Sequence, residues 1–185
     1  MHALVINWLG ERIMTSLKPK KSKWVPGMIY AVPLADGSFG MAQAIDAMTV
    51  NIIYVAIFID RTCDIPPTPP KLTRTHAVSL VATWRQHLNS GDWPSIGVGP
   101  LVYQKKDFPN EQFAKKGYIG AKHYDIGILQ DFLSAYHGIV PWNVNYKEDY
   151  YDQFLMLGKE RPSNIIWLSP EQRLEYRRNN FGTDT

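Results

Sequence analysis

The sequence predicts an α+β fold: a small antiparallel β-sheet, curved or barrel-like, in the N-terminal half, with packed helices from the C-terminal half. Three observations carry this expectation. Runs of β-branched and aromatic residues, separated by short turn signals, fill the stretch from residue 28 to about 103. Helical spacing of apolar residues begins only at 126. Strands first and helices later is the α+β order. With 185 residues, 45% of them hydrophobic and 20% charged, the chain can bury a core without metal or disulfide staples. Residues 24–185 therefore read as a single α+β domain behind a flexible basic tail or extension at 1–23.

Pro26-Gly27 punctuates the chain and a first strand follows over 28–34. Ala35-Asp36-Gly37-Ser38 makes a tight turn, because Asp-Gly between apolar runs supplies the positive φ of a primed hairpin. The return strand is 39–45. Residues 51–59 are almost continuously β-branched or aromatic, which predicts a central strand covered on both faces. Four prolines within 66–70 exclude a sheet centre or a helix and give a stiff crossover. A fourth strand is expected over 77–82, one helical turn over 84–88, and a short glycine-interrupted strand over 96–103. Residues 104–117 are polar and read as loop, with a last edge strand at 118–124. Apolar positions 126, 128, 129, 132, 133 and 136 predict a helix, with Asp125 as N-cap and Gly138 as its stop. A second helix is expected over 147–157, burying Tyr150, Tyr151, Phe154 and Leu155. A short strand follows at 165–168. Ser169-Pro-Glu-Gln172 is a capping box that opens a final helix.

Composition excludes several classes. Cys63 is the sole cysteine, so no disulfide-stapled secreted scaffold is possible. The longest apolar stretch, near 52–59, is far short of the roughly 20 residues that span a bilayer. The net charge is +3. Arg12, Lys18, Lys20, Lys21 and Lys23 stand against Glu11 alone in the first 23 residues, which leaves the body slightly negative. The expected folded surface thus lacks the basic stripe of a nucleic-acid binder. Residues 1–13 read as an extension ahead of Met14, or as a short element docked through residues 3–9.

The familiar catalytic motifs are missing: no His-Glu-x-x-His, Cys-x-x-Cys, phosphate loop or Gly-x-Ser-x-Gly elbow. Gly97-Val-Gly99 lacks the remainder of a dinucleotide fingerprint. His2, His76, His87, His123 and His137 have no metal-ligand spacing. Cys63 reads as a strand-end residue, and Glu148, Asp149 and Asp152 lack a calcium-loop arrangement. The chain is expected to be no enzyme and to need no cofactor or metal.

Residues 24–46, Trp-Val-Pro-Gly-Met-Ile-Tyr-Ala-Val-Pro-Leu-Ala-Asp-Gly-Ser-Phe-Gly-Met-Ala-Gln-Ala-Ile-Asp, resemble the opening of the bacterial Immunity protein 26 family. The matching positions are Gly27, Pro33, Leu34, Asp36, Gly37 and Gly40. Asp92-Trp-Pro-Ser-Ile-Gly97, with Pro100-Leu101, resembles that family's Trp-Pro-x-Ile-Gly segment. The likeness covers about 24–103, and the proline crossover departs from the pattern. It implies a cytoplasmic immunity protein of a polymorphic toxin system, such as contact-dependent growth inhibition. Such a protein blocks a cognate toxin domain, a nuclease for instance, by stoichiometric binding.

The contact surface must come from the residues themselves. Tyr, Trp and Arg dominate interface hot spots, and residues 142–152 hold one Trp, three Tyr and three acids. Tyr146, Glu148, Asp149, Tyr150, Tyr151 and Asp152 are therefore the expected toxin-binding residues, an acidic patch suited to a basic partner. The competing expectation is that Trp142 and two of the tyrosines are core and only the acids are exposed. The alternative function is a small-barrel nucleic-acid-binding module using the lysines at 18–23 as an arm. No membrane partner is expected.

Overall fold

The computed structural model describes residues 23–182; the basic tail expected at 1–23 lies outside them except for Lys23. Five strands form one antiparallel sheet: β1 (Met28–Pro33), β2 (Phe39–Ala47), β3 (Ile52–Thr62), β4 (Ala77–Trp84) and β5 (Ser95–Val98), in the order β4-β3-β2-β1-β5. The sheet is open, since β4 and β5 are its two edges and do not pair. Register shifts at Ile29/Tyr30, Gly40/Met41, Ala44/Asp46 and Ile57/Phe58 interrupt the ladders, and such bulges bend strands and increase their twist.

The first hairpin forms where expected, with a different turn. Gly37 N–H donates to Leu34 O at 3.0 Å and Leu34 N–H to Ser38 O at 2.8 Å. Gly37 has φ +84° while Asp36 stays at negative φ, so a tight turn is followed by one left-handed glycine, where a primed turn would need other geometry. Asp36 fastens it by accepting from the Ser38 amide and hydroxyl.

β3 is buried on both sides. Ile53, Val55 and Ile57 face one core; Ile52, Tyr54, Ala56 and Phe58 face another. The first core is roofed by helix α2 (Ile126–Tyr136) with Trp142, Tyr151 and Phe154. Asp125 caps α2 by accepting from Gly127 N–H, and Leu133 seats directly on Gly40, where any side chain would collide with it. The second core is closed by residues 101–121, which wind through 3₁₀ turns at Lys105–Asp107 and Pro109–Lys116. There Phe108 stacks on Tyr54 with 4.4 Å between ring centres. Glu111 accepts from both Tyr54 OH and Tyr118 OH at 2.8 Å. Fully buried Gln43 donates to Pro100 O and accepts from Val102 N–H, tying this layer to β2.

Helix α1 (Arg85–Ser90) is the expected single turn, and α3 (Pro170–Phe181) opens with the expected capping box. Four expectations are corrected. The polar segment 104–117 is largely 3₁₀ turn. Residues 118–124 form no strand, because Gly117, Tyr118 and Gly120 all take positive φ; only Tyr124 bridges to Thr83, and only Ile166 bridges, to Pro141, in the strand expected at 165–168. Residues 147–157 form no helix beyond a 3₁₀ turn at Tyr150–Phe154.

Candidate interaction surface

The segment 142–152 is a shell over an aromatic base. Trp142, Tyr151 and Phe154 are buried, and Phe132 of α2 meets all three rings. Tyr151 is 2% exposed and its burial raises the phenol pKa, so it supports the surface from beneath and cannot itself face a partner. Asn143, also buried, closes the base by exchanging hydrogen bonds with the Leu168 backbone at 2.8 and 2.9 Å.

Two of the three acids are engaged inside the chain. Asp152 accepts from the Trp142 indole N–H at 3.0 Å and from Arg161 through both carboxylate oxygens. The Arg161 bonds, and then the indole bond, hold its carboxyl below the usual range. Arg161 also lies over the Trp167 ring, 4.8 Å from its centre. Glu148 receives a hydrogen bond from Arg173 of α3 at 3.0 Å, and the same guanidinium donates to the carbonyls of Tyr146, at 2.8 Å, and Asn145. The acidic patch expected from composition is thus largely neutralised by arginines from 9 and 25 residues away.

What faces outward is different. Tyr146 is 83% exposed, with Lys147 and Asp149 exposed beside it. Together with half-buried Tyr150 they line an open groove of about 480 Å³, whose far wall is Lys122 and Gln153. Neither Lys122 nor Lys147 has an ion-pair partner among the described residues, while Asp149 faces Arg161. Of the expected contact residues, the structure brings Tyr146, Asp149, Tyr150 and one face of Asp152 to a common groove. Glu148 turns to α3 and Tyr151 to the core. Lys122 escaped sequence reasoning because it belongs to the coil before α2, and nothing local indicates which element that coil meets.

The remaining candidates do not converge. Cys63 is exposed. His76 pairs with Asp60 and His87 with Asp125, at 2.9 and 3.0 Å. His137 is half-buried at the end of α2; burial and then Arg61 lower its pKa, against an opposing effect of Asp36. Among the described residues no three His, Cys, Asp or Glu side chains are grouped to hold a metal ion, and no helix is long and apolar enough to cross a membrane. No family model matches the chain, nor does a curated protein or a solved structure.

Proposed function

We propose that the chain acts by binding: it is an immunity protein that neutralises a cognate bacterial toxin domain in the cytoplasm, as its likeness to the Immunity protein 26 opening implies. One observation carries the binding reading. Tyr146 stands exposed on a buried aromatic base, beside half-buried Tyr150 and charged neighbours of both signs. A rigid, amphipathic side chain on a fixed support is what an interface anchor requires. Occupancy of a toxin's active site then needs no turnover by this chain. The test is co-expression with the toxin domain encoded beside it. A stoichiometric complex and rescue of growth are expected, and failure of both overturns the reading.

A second reading has its own support. Residues 101–123 hold five lysines and two acids, and the acids are engaged internally, Asp107 by Arg74 and Glu111 by two tyrosines. This layer would suit a nucleic acid. Binding through it would weaken steeply with rising salt, and salt-insensitive or absent binding to single-stranded DNA and RNA removes the alternative.

A further inference from the structure

The groove beside Tyr146 does not end at Gln153. A second cavity of about 280 Å³ adjoins it, sharing Lys122 and Gln153, and reaches the outer edge of β4 at Leu80 and Val81. That edge is partly closed. Met156 N–H donates to Val78 O and Tyr124 N–H to Ala82 O, both at 2.9 Å. In an antiparallel strand the amide and carbonyl of one residue point the same way, and alternate residues point alike. Leu80 lies midway between Val78 and Ala82, so its N–H and C=O face outward as theirs do. Neither group of Leu80 has a partner among the described residues. One open donor and acceptor pair therefore borders a cavity whose rim carries the uncompensated Lys122, with Lys147 further along.

We infer that this double groove holds an acidic peptide segment of the partner protein, one of its residues pairing with Leu80 between Tyr124 and Met156 and its carboxylates meeting Lys122 and Lys147. The inference rests on the binding reading and reverses the partner charge expected from composition. A peptide backbone supplies both the carbonyl for the Leu80 amide and the amide for its carbonyl. A phosphodiester backbone supplies no donor, which is why a peptide is favoured over a nucleic acid. The charge balance agrees: Asp149 and Asp152 share Arg161, and the lysines are left over.

The probe is hexaglutamate added to the full chain, followed by amide chemical shifts. Perturbation centred on Leu80, Lys122, Tyr146 and Lys147 is expected. Hexalysine should leave these amides unmoved. Hexaglutamate N-methylated at every residue, which has no amide N–H to donate to the Leu80 carbonyl, should bind several-fold more weakly. The double variant K122E/K147E should lose about tenfold or more in affinity with an unchanged melting curve. Equal response to hexalysine, indifference to N-methylation, or tighter binding of oligothymidylate at the same residues each overturns the inference. The same double variant separates it from the immunity reading. Unweakened binding to the linked toxin domain places that partner elsewhere and overturns the inference alone, whereas a toxin domain that the unmodified chain does not bind overturns the immunity reading alone.

Discussion

Replacing Asp152 by alanine tests whether the surface segment is held by polar bonds or by its aromatic base alone. The substitution removes two things. The Trp142 indole N–H, on a residue with no exposed surface, loses its acceptor, and a buried donor left without one costs about 1–3 kcal/mol. The bidentate pair with Arg161 also goes, but both side chains are more than a third exposed, so solvent screening limits that contribution to roughly 1 kcal/mol or less. The expected loss is about 1–4 kcal/mol. For a domain of about 160 residues each kcal/mol lowers Tm by roughly 2–4 °C, so D152A should melt about 2–16 °C lower. D152N keeps an oxygen for the indole and should lose about 1 kcal/mol or less. Urea denaturation followed by tryptophan fluorescence measures both. If the two variants are equally stable, the indole bond contributes nothing and the reasoning fails. The pH dependence gives a second reading of the same carboxylate. Its folded pKa lies below 3.8, so its stabilisation is complete above that value and is lost as pH falls through the depressed one. D152N should flatten that part of the acid limb.

Other positions give independent checks. Q43L leaves Pro100 O and Val102 N–H without their partner and should cost about 2–4 kcal/mol, with faster amide exchange at Val102 as the specific sign. G37V adds no clash, since no atom lies within 4 Å of the new Cβ; its cost of about 1–2 kcal/mol comes from φ alone, and a neutral urea midpoint would refute it. His137 titrates below 6.5 in the fold. The unfolded chain thus takes up its proton first, and stability should decline as pH drops from 6.5 toward the depressed value. Measured Tm should follow that decline in the unmodified chain and not in H137Q.

Elements fixed by local chemistry were legible in the sequence. The β-branched run at 51–59 announced a strand buried on both faces, Asp125 and Ser169 announced their helices, and the Asp36-Gly37 hairpin closed, though by another turn. Elements decided by distant partners were not legible. Tyr150, Tyr151, Phe154 and Leu155 have helical spacing, yet Asp152 is drawn to Trp142 and Arg161, and the turn closes as 3₁₀, with Leu155 N–H on Asp152 O. Residues 118–124 have strand composition, but left-handed residues on either side of Ile119 coil the chain. The expected strand at 96–103 stops at Val98, beyond which Gln43 captures Pro100 and Val102. In the candidate site the exposed tyrosine was anticipated; the net charge was not, because ion pairs such as Glu148–Arg173 join residues whose proximity no local pattern reports.

Helix α3 is attached in an unusual way: none of its described side chains is fully buried, and Leu174 is half exposed. The Arg173 guanidinium fastens it to Glu148 and two carbonyls, and Tyr176 is half-buried. With little apolar area to lose, such a helix can open without the sheet, as a unit of low local stability. Its amides should therefore exchange with solvent through excursions far cheaper than global unfolding, and R173A should speed them while leaving the β3 amides as slow as before. Each excursion would hand the carbonyls of Asn145 and Tyr146 to water, so the backbone beneath the most prominent tyrosine is clamped by a helix whose described side chains do not line the groove.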